Sequence, residues 1–149
     1  MGSNNYLNGI IYDLLDVIWE EHGLGARYRT TLVGSTYFKN KYGDTLTKDN
    51  WRDTVDAVIA ALKKEGLITD ADYEGEGNNI LNMKFHNCQH LDIERQLLDR
   101  GIKIISCPCA HVVMYFLDKL VGKHSEIATL DVVGNECKVS FCVMGSELK

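Results

Sequence analysis

Apolar residues at Tyr6, Leu7, Ile10, Ile11, Leu14, Leu15, Ile18 and Trp19 recur at intervals of three and four, which predicts an amphipathic helix from Asn5 to His22. Gly23 and Gly25 end it. A second helix is expected within Ala26 to Tyr42, where Tyr28, Leu32, Phe38 and Tyr42 are interrupted by Gly34 and by β-branched residues. Gly34 there implies close packing or a kink. Trp51, Val55, Val58, Ile59 and Leu62 form the stripe of a third helix, with Thr47 as its expected N-cap and Gly66 as its stop.

Beyond Gly66 the helical period gives way. Leu67 to Tyr73 and Ile80 to Phe85 read as two strands of a hairpin around a Glu-Gly-Glu-Gly-Asn-Asn turn. Asp92 to Asp99 reads as a short helix ended near Gly101, and Ile102 to Ser106 as a buried strand. Pro108 suits the first turn of a helix that runs to about Val121 on the apolar face Val112, Val113, Phe116, Leu117 and Leu120. Gly122 closes it. Ile127 to Val133 then pairs with Lys138 to Met144 across Gly134-Asn135. No repeat, linker or domain boundary interrupts this order. The 149 residues therefore read as one α/β (α+β) domain, with N-terminal helices over 5–66 packed on a mainly antiparallel sheet and a cysteine-rich part over 67–149.

Composition narrows the partners. The formal charge is −5 and the only basic cluster is Lys63-Lys64, so neither nucleic acid nor an anionic membrane surface is an expected partner. No apolar run approaches the ~20 residues of a bilayer span. The opening Met1-Gly2-Ser3 has the look of an expression scar, and no basic-then-apolar leader follows it, so a cytoplasmic, reducing location is expected.

In that setting five cysteines need a reason other than disulfides. Apart from His22, every histidine and cysteine lies between His86 and Cys142: His86, Cys88, His90, Cys107, Cys109, His111, His124, Cys137 and Cys142. Cys88 follows a strand end, Cys107 and Cys109 flank a strand-to-helix junction, and Cys137 opens the last strand. Element ends can converge, and convergence is what a tetrahedral zinc site of nitrogen and sulfur donors requires. An iron–sulfur cluster or a thiol redox regulator uses the same residues. A third possibility is a cysteine-dependent enzyme, because a helix N-terminus lowers the pKa of Cys107 or Cys109. Cys137 and Cys142, five apart on a strand, face opposite sides of the sheet, so Cys137 is the expected site member. Cys88, Cys107, Cys109 and Cys137 are thus the expected metal ligands, with Cys142, His86, His90 and His111 left open. Asp70, Asp72, Glu74, Gly75 and Glu76 mimic half a calcium loop, but Leu81 stands at the twelfth position, where a bidentate acid is needed. Calcium is not expected. The aromatics Tyr6, Trp19, Tyr28, Tyr37, Phe38, Tyr42 and Trp51 serve as core or as the lining of an apolar pocket.

The segment Cys107-Pro-Cys-Ala-His-Val-Val-Met-Tyr-Phe-Leu-Asp-Lys-Leu-Val-Gly122, then Glu126-Ile, then Gly134-Asn-Glu-Cys137-Lys-Val-Ser-Phe141, resembles the 4-vinyl reductase domain family, also called hydrocarbon-binding proteins. The resemblance covers the last 60 or so residues. It implies a fold similar to the ligand-binding domains of nitric-oxide signalling and Golgi transport, often a homodimer formed through the N-terminal helices. It also implies a sensor that binds a small hydrophobic or aromatic ligand beside a structural zinc, and a binding role rather than an enzymatic one. Cys107 matches the helix-opening cysteine, Cys137 the cysteine after the glycine turn, and Cys88 falls near an upstream ligand. Where the family carries a further cysteine, this chain has Leu130 and Asp131, so Cys109 or, less well, Asp131 would complete the set.

Overall fold

The computed structural model describes residues 2–28 and 33–143. Leu32, Met144 and the side chain of Tyr28, which figure in the sequence reading, lie outside the described part. Helix α1 (Gly2–His22) runs into a 3₁₀ segment (Gly23–Tyr28), followed by α2 (Ser35–Tyr42) and α3 (Trp51–Lys64). A hairpin of β1 (Asp70–Glu76) and β2 (Ile80–His86), helices α4 (Leu91–Asp99) and α5 (Pro108–Val121), and a hairpin of β3 (Glu126–Val133) and β4 (Glu136–Cys142) complete the order. The four strands form one antiparallel sheet in the order β1-β2-β4-β3. The fold is α+β, as the periodicity predicts.

Alternation along β2 and β4 sorts the residues by face. Leu81, Met83, Phe85, Cys137, Val139 and Phe141 point inward and are buried, in one core with Val55, Val58 and Leu62 of α3 and Val112, Val113, Phe116 and Leu117 of α5. Fully burying one such side chain is worth about 1.5–3 kcal/mol, so this shared core dominates stability. The outer face carries Asp72, Lys84, Lys138 and Asp131 in one paired row.

Four local expectations need correction. The cap of α3 is Asn50, whose side chain accepts the Asp53 N–H at 2.9 Å, whereas the Thr47 hydroxyl is buried without a partner. Strand β1 begins at Asp70 instead of Leu67. The Leu67 N–H closes the end of α3 on Leu62 O, and Leu67 O accepts from Gln89, so its backbone is committed before the ladder starts. Residues 102–106 form a buried connection outside the four-stranded sheet, where a strand is expected. Helix α1 also buries less than its periodicity suggests. Tyr12, Leu15 and Trp19 pack on Ile93, Leu97 and Ile102, and Arg100 holds Tyr12 and Asp16 at 2.8 and 2.9 Å, but Tyr6, Leu7, Ile10, Ile11, Leu14 and Val17 are exposed.

The expected helix over 26–42 is divided at Gly34. That residue has φ +88°, and a Cβ there would lie 3.0 Å from the Pro108 Cβ, so glycine serves both the left-handed backbone and the close approach of α2 to the start of α5. Gly122, with φ +79°, has open space around it. Alanine in left-handed backbone costs roughly 1–2 kcal/mol. Gly122→Ala should therefore lose about that much stability in chemical denaturation, and Gly34→Ala at least ~1 kcal/mol more from the added clash. Equal losses would mean that the Pro108 contact carries no energy.

Candidate functional site

Three chain segments meet beneath the start of α5. The first is the exit from β2. Asn87 adopts φ +55°, a left-handed conformation that asparagine tolerates, and turns the chain inward. Its N–H donates to Asn135 O at 2.8 Å and its side chain to Thr69 Oγ1 at 2.9 Å, while the Gln89 N–H donates to Leu67 O at 3.0 Å. Cys88 and His90, on either side of Gln89, are thereby held toward the interior. The second segment is the N-terminus of α5, with Cys107 as N-cap, Pro108 in the first turn and Cys109 one residue further on. The third is the start of β4, where Phe85 pairs with Cys137 and sets the Cys137 thiol against the helix.

Among the described residues, the donor atoms of Cys88, His90 and Cys109 all lie within 4.8 Å of one another. Cys107 and Cys137 form a second group beside them, with their sulfurs 3.6 Å apart. The four expected cysteines are thus neighbours, arranged as two thiol pairs with His90 bordering both. All four are at most 5% exposed.

The pairs are polarised. The Cys109 thiol donates toward Cys88 and, with His90, lowers the Cys88 pKa to about 6 against the effect of burial. Cys137 does the same for Cys107, which His90 and the α5 N-terminus also favour as thiolate, well below the usual range. The donating partners Cys109 and Cys137 are raised, first by those hydrogen bonds and then by burial. Burial opposes a charge on His90, but the Cys107 and Cys88 sulfurs and Glu94 outweigh it and hold its pKa well above normal.

Glu94, one helical turn after His90, is 2% exposed, and neither of its carboxylate oxygens has a hydrogen-bond partner. Burial, then the charges at Cys107 and Cys88, push its pKa up to about 8. His90 Nε2 is also buried without a partner, 3.6 Å from Glu94 Oε1. Orphaned donor atoms beside thiolates fit a metal-binding set. Sequence reasoning left His90 open and passed over Glu94. Its signal was an acid within the buried stripe Leu91, Ile93, Glu94, Leu97 of an amphipathic helix.

Other histidines and cysteines are placed elsewhere. His86 lies on the outer sheet face, 2.7 Å from Asp72 Oδ2 and 3.6 Å from Glu136 Oε1. Cys142 shares that face, near Asn79. His111 is fully buried on α5, with Nδ1 2.9 Å from Val33 O and a pKa lowered by burial, so it stays neutral.

A recess of about 330 Å³ opens directly onto the cluster, lined by Gly34, Tyr37, Phe38, Glu65, Leu67, His90, Pro108, Cys109 and Val112. It is mostly apolar, as ligand pockets are. No strand contributes to its lining, so it lies among helix ends and not between helices and sheet. At its mouth Glu65 binds Lys41 Nζ at 2.9 Å and the Tyr37 hydroxyl at 2.5 Å.

No helix among the described residues is long and apolar enough to cross a membrane. No protein-family model and no curated protein matches the chain. Among solved structures, the fold is similar to that of the phenol-responsive sensory domain of the transcription activator PoxR with phenol, at a TM-score of 0.56 and 12% identity. The match covers 93% of this chain and 73% of that one, so the likeness spans both layers of the fold.

Proposed function

We propose that this chain is a small-molecule-binding sensor domain in which the buried thiol cluster holds zinc. The observation that carries this reading is the three-donor group Cys88, His90 and Cys109 at the inner end of an apolar recess. Cys107 and Cys137 complete the expected set of four thiols. Tetrahedral zinc has donor–donor edges of about 3.5–3.8 Å, and the Cys88, His90 and Cys109 donors lie within 4.8 Å of one another, so closing on a metal asks for a contraction of at most about 1 Å among these three. Zinc bound there would tie the β2 exit to α5 and add its binding free energy to folding. PoxR's sensory domain takes phenol, and the recess here has the size and apolar lining for a small aromatic molecule.

Protein purified without oxygen should be colourless and contain one zinc per chain by elemental analysis. Chelation should lower its melting temperature, and phenol should raise that of the zinc-loaded form. Cys88→Ser or Cys109→Ser should weaken zinc binding by on the order of 100-fold or more. A melting temperature indifferent to chelation would remove the site. A brown, iron-containing preparation would favour the iron–sulfur alternative instead.

The metal-free protein should also show a pH dependence owed to Glu94. Its pKa rises from an ordinary 4.5 to about 8 on folding, so the native state binds the extra proton and stability falls as pH rises through that interval. Glu94→Gln should flatten the slope of denaturation free energy against pH between about 5 and 8. An unchanged slope would place the titration on another group.

The apolar face of α1 takes a second copy of the chain in this reading. Tyr6 is 71% and Leu14 57% exposed on a helix whose opposite edge is already packed. Analytical ultracentrifugation should give a dimer for the native sequence and a monomer for Leu7→Glu with Leu14→Glu; a monomeric native protein would refute the pairing.

A further inference from the structure

The four thiols of the cluster are already sorted into pairs. Cys88 and Cys109 belong to the one group of three donors that lie within 4.8 Å of one another among the described residues, and the Cys109 thiol donates toward Cys88. Cys107 and Cys137 stand beside them with sulfurs 3.6 Å apart. A disulfide draws its sulfurs to about 2.0 Å, a closure within reach of side-chain rotation at both pairs. The pairs differ in access. Cys109 lines the recess, whereas Cys107 and Cys137 are fully buried. Cys142 is half-buried on the outer sheet face beside Asn79, away from the other four.

We infer that the cluster is a reversible peroxide switch, in which Cys88 closes on Cys109 and Cys107 on Cys137 as disulfides. The recess admits the oxidant to Cys109, so that pair reacts first. The Cys109 sulfur attacks the peroxide, the O–O bond breaks, and a sulfenic acid and one water result. The Cys88 sulfur then displaces the hydroxyl as a second water and the S–S bond forms. Two thiols lose two electrons and one peroxide becomes two waters, which take up both thiol protons; where a metal had held thiolates, buffer supplies those protons. A second peroxide oxidises the inner pair by the same balance, and a dithiol reductant reverses both. The pairing stands on the thiol geometry alone. Loss of the metal is a consequence that rests on the zinc reading above, because the first disulfide removes two donors from the three-donor group.

The native chain and Cys142→Ser, which leaves only the cluster thiols, would be treated with hydrogen peroxide in zinc-loaded and metal-free forms. Tandem mass spectrometry without reduction reads the links, with fragmentation at the Cys107–Pro108 bond to separate the neighbouring cysteines. Four cysteines can pair in three ways. Every sample should give Cys88–Cys109 first and Cys107–Cys137 second, and the zinc-loaded form should release its zinc to a chromophoric chelator in step with the first link. Dithiothreitol with added zinc should restore the reduced, loaded protein. Another pairing within the chain, chains cross-linked to one another, or oxidation that ends at sulfinic acid would overturn the inference. Zinc retained with all four thiols intact would overturn it and leave the metal reading standing. A reduced chain that takes up no zinc yet forms the same two links would uphold the pairing and overturn the metal reading.

Discussion

The pairing of β2 with β4 governs everything at the site. With Phe85 opposite Cys137 and His86 opposite Glu136, the exit of one strand lies beside the entry of the other, and the Asn87 N–H reaches Asn135 O across the gap. A register shift of one residue would turn Cys137 to the outer face and Lys138 inward. Val139 and Phe141 forbid that shift, because it would turn the core face of β4 away from the inward row Leu81, Met83 and Phe85 of β2. The cluster therefore inherits its geometry from hydrophobic patterning that has no chemistry of its own.

That inheritance explains how the cluster tolerates buried charge. Isolated thiolates or an isolated imidazolium in a dry interior would neutralise. Here each thiolate has a thiol partner, the imidazole of His90 borders both pairs, and the backbone N–H of Ala110 in the first turn of α5 favours the Cys107 thiolate. Glu94, with no such partner, is the group that takes up a proton.

Much of this was legible in the chain. The class, the two hairpins and the major helices follow from periodicity, and the five-residue separation of Cys137 and Cys142 by itself assigns them to opposite faces. Gly34 announces a close approach, although not that Pro108 is what approaches. What a linear pattern cannot carry is how neighbours divide among themselves. Cys88, Cys107, Cys109 and Cys137 read as one foursome, yet the structure sorts them into two pairs with a histidine between, because the pairing depends on where α5 crosses the β2 exit. Asn50 displaced Thr47 as the cap for a related reason: both are good caps, and only the path of the preceding loop decides between them.

Strand β1 carries a consequence beyond the site. It is an edge of the sheet, and Asp70, Asp72, Glu74 and Glu76 alternate along it. Any second strand of the same sequence laid antiparallel against that edge would oppose carboxylate to carboxylate along its length. Like charges directly opposite destabilise a ladder, and charged edges are how sheets avoid growing into one another. The acids that imitate half a calcium loop thus act as a barrier to edge-to-edge aggregation on that side of the protein.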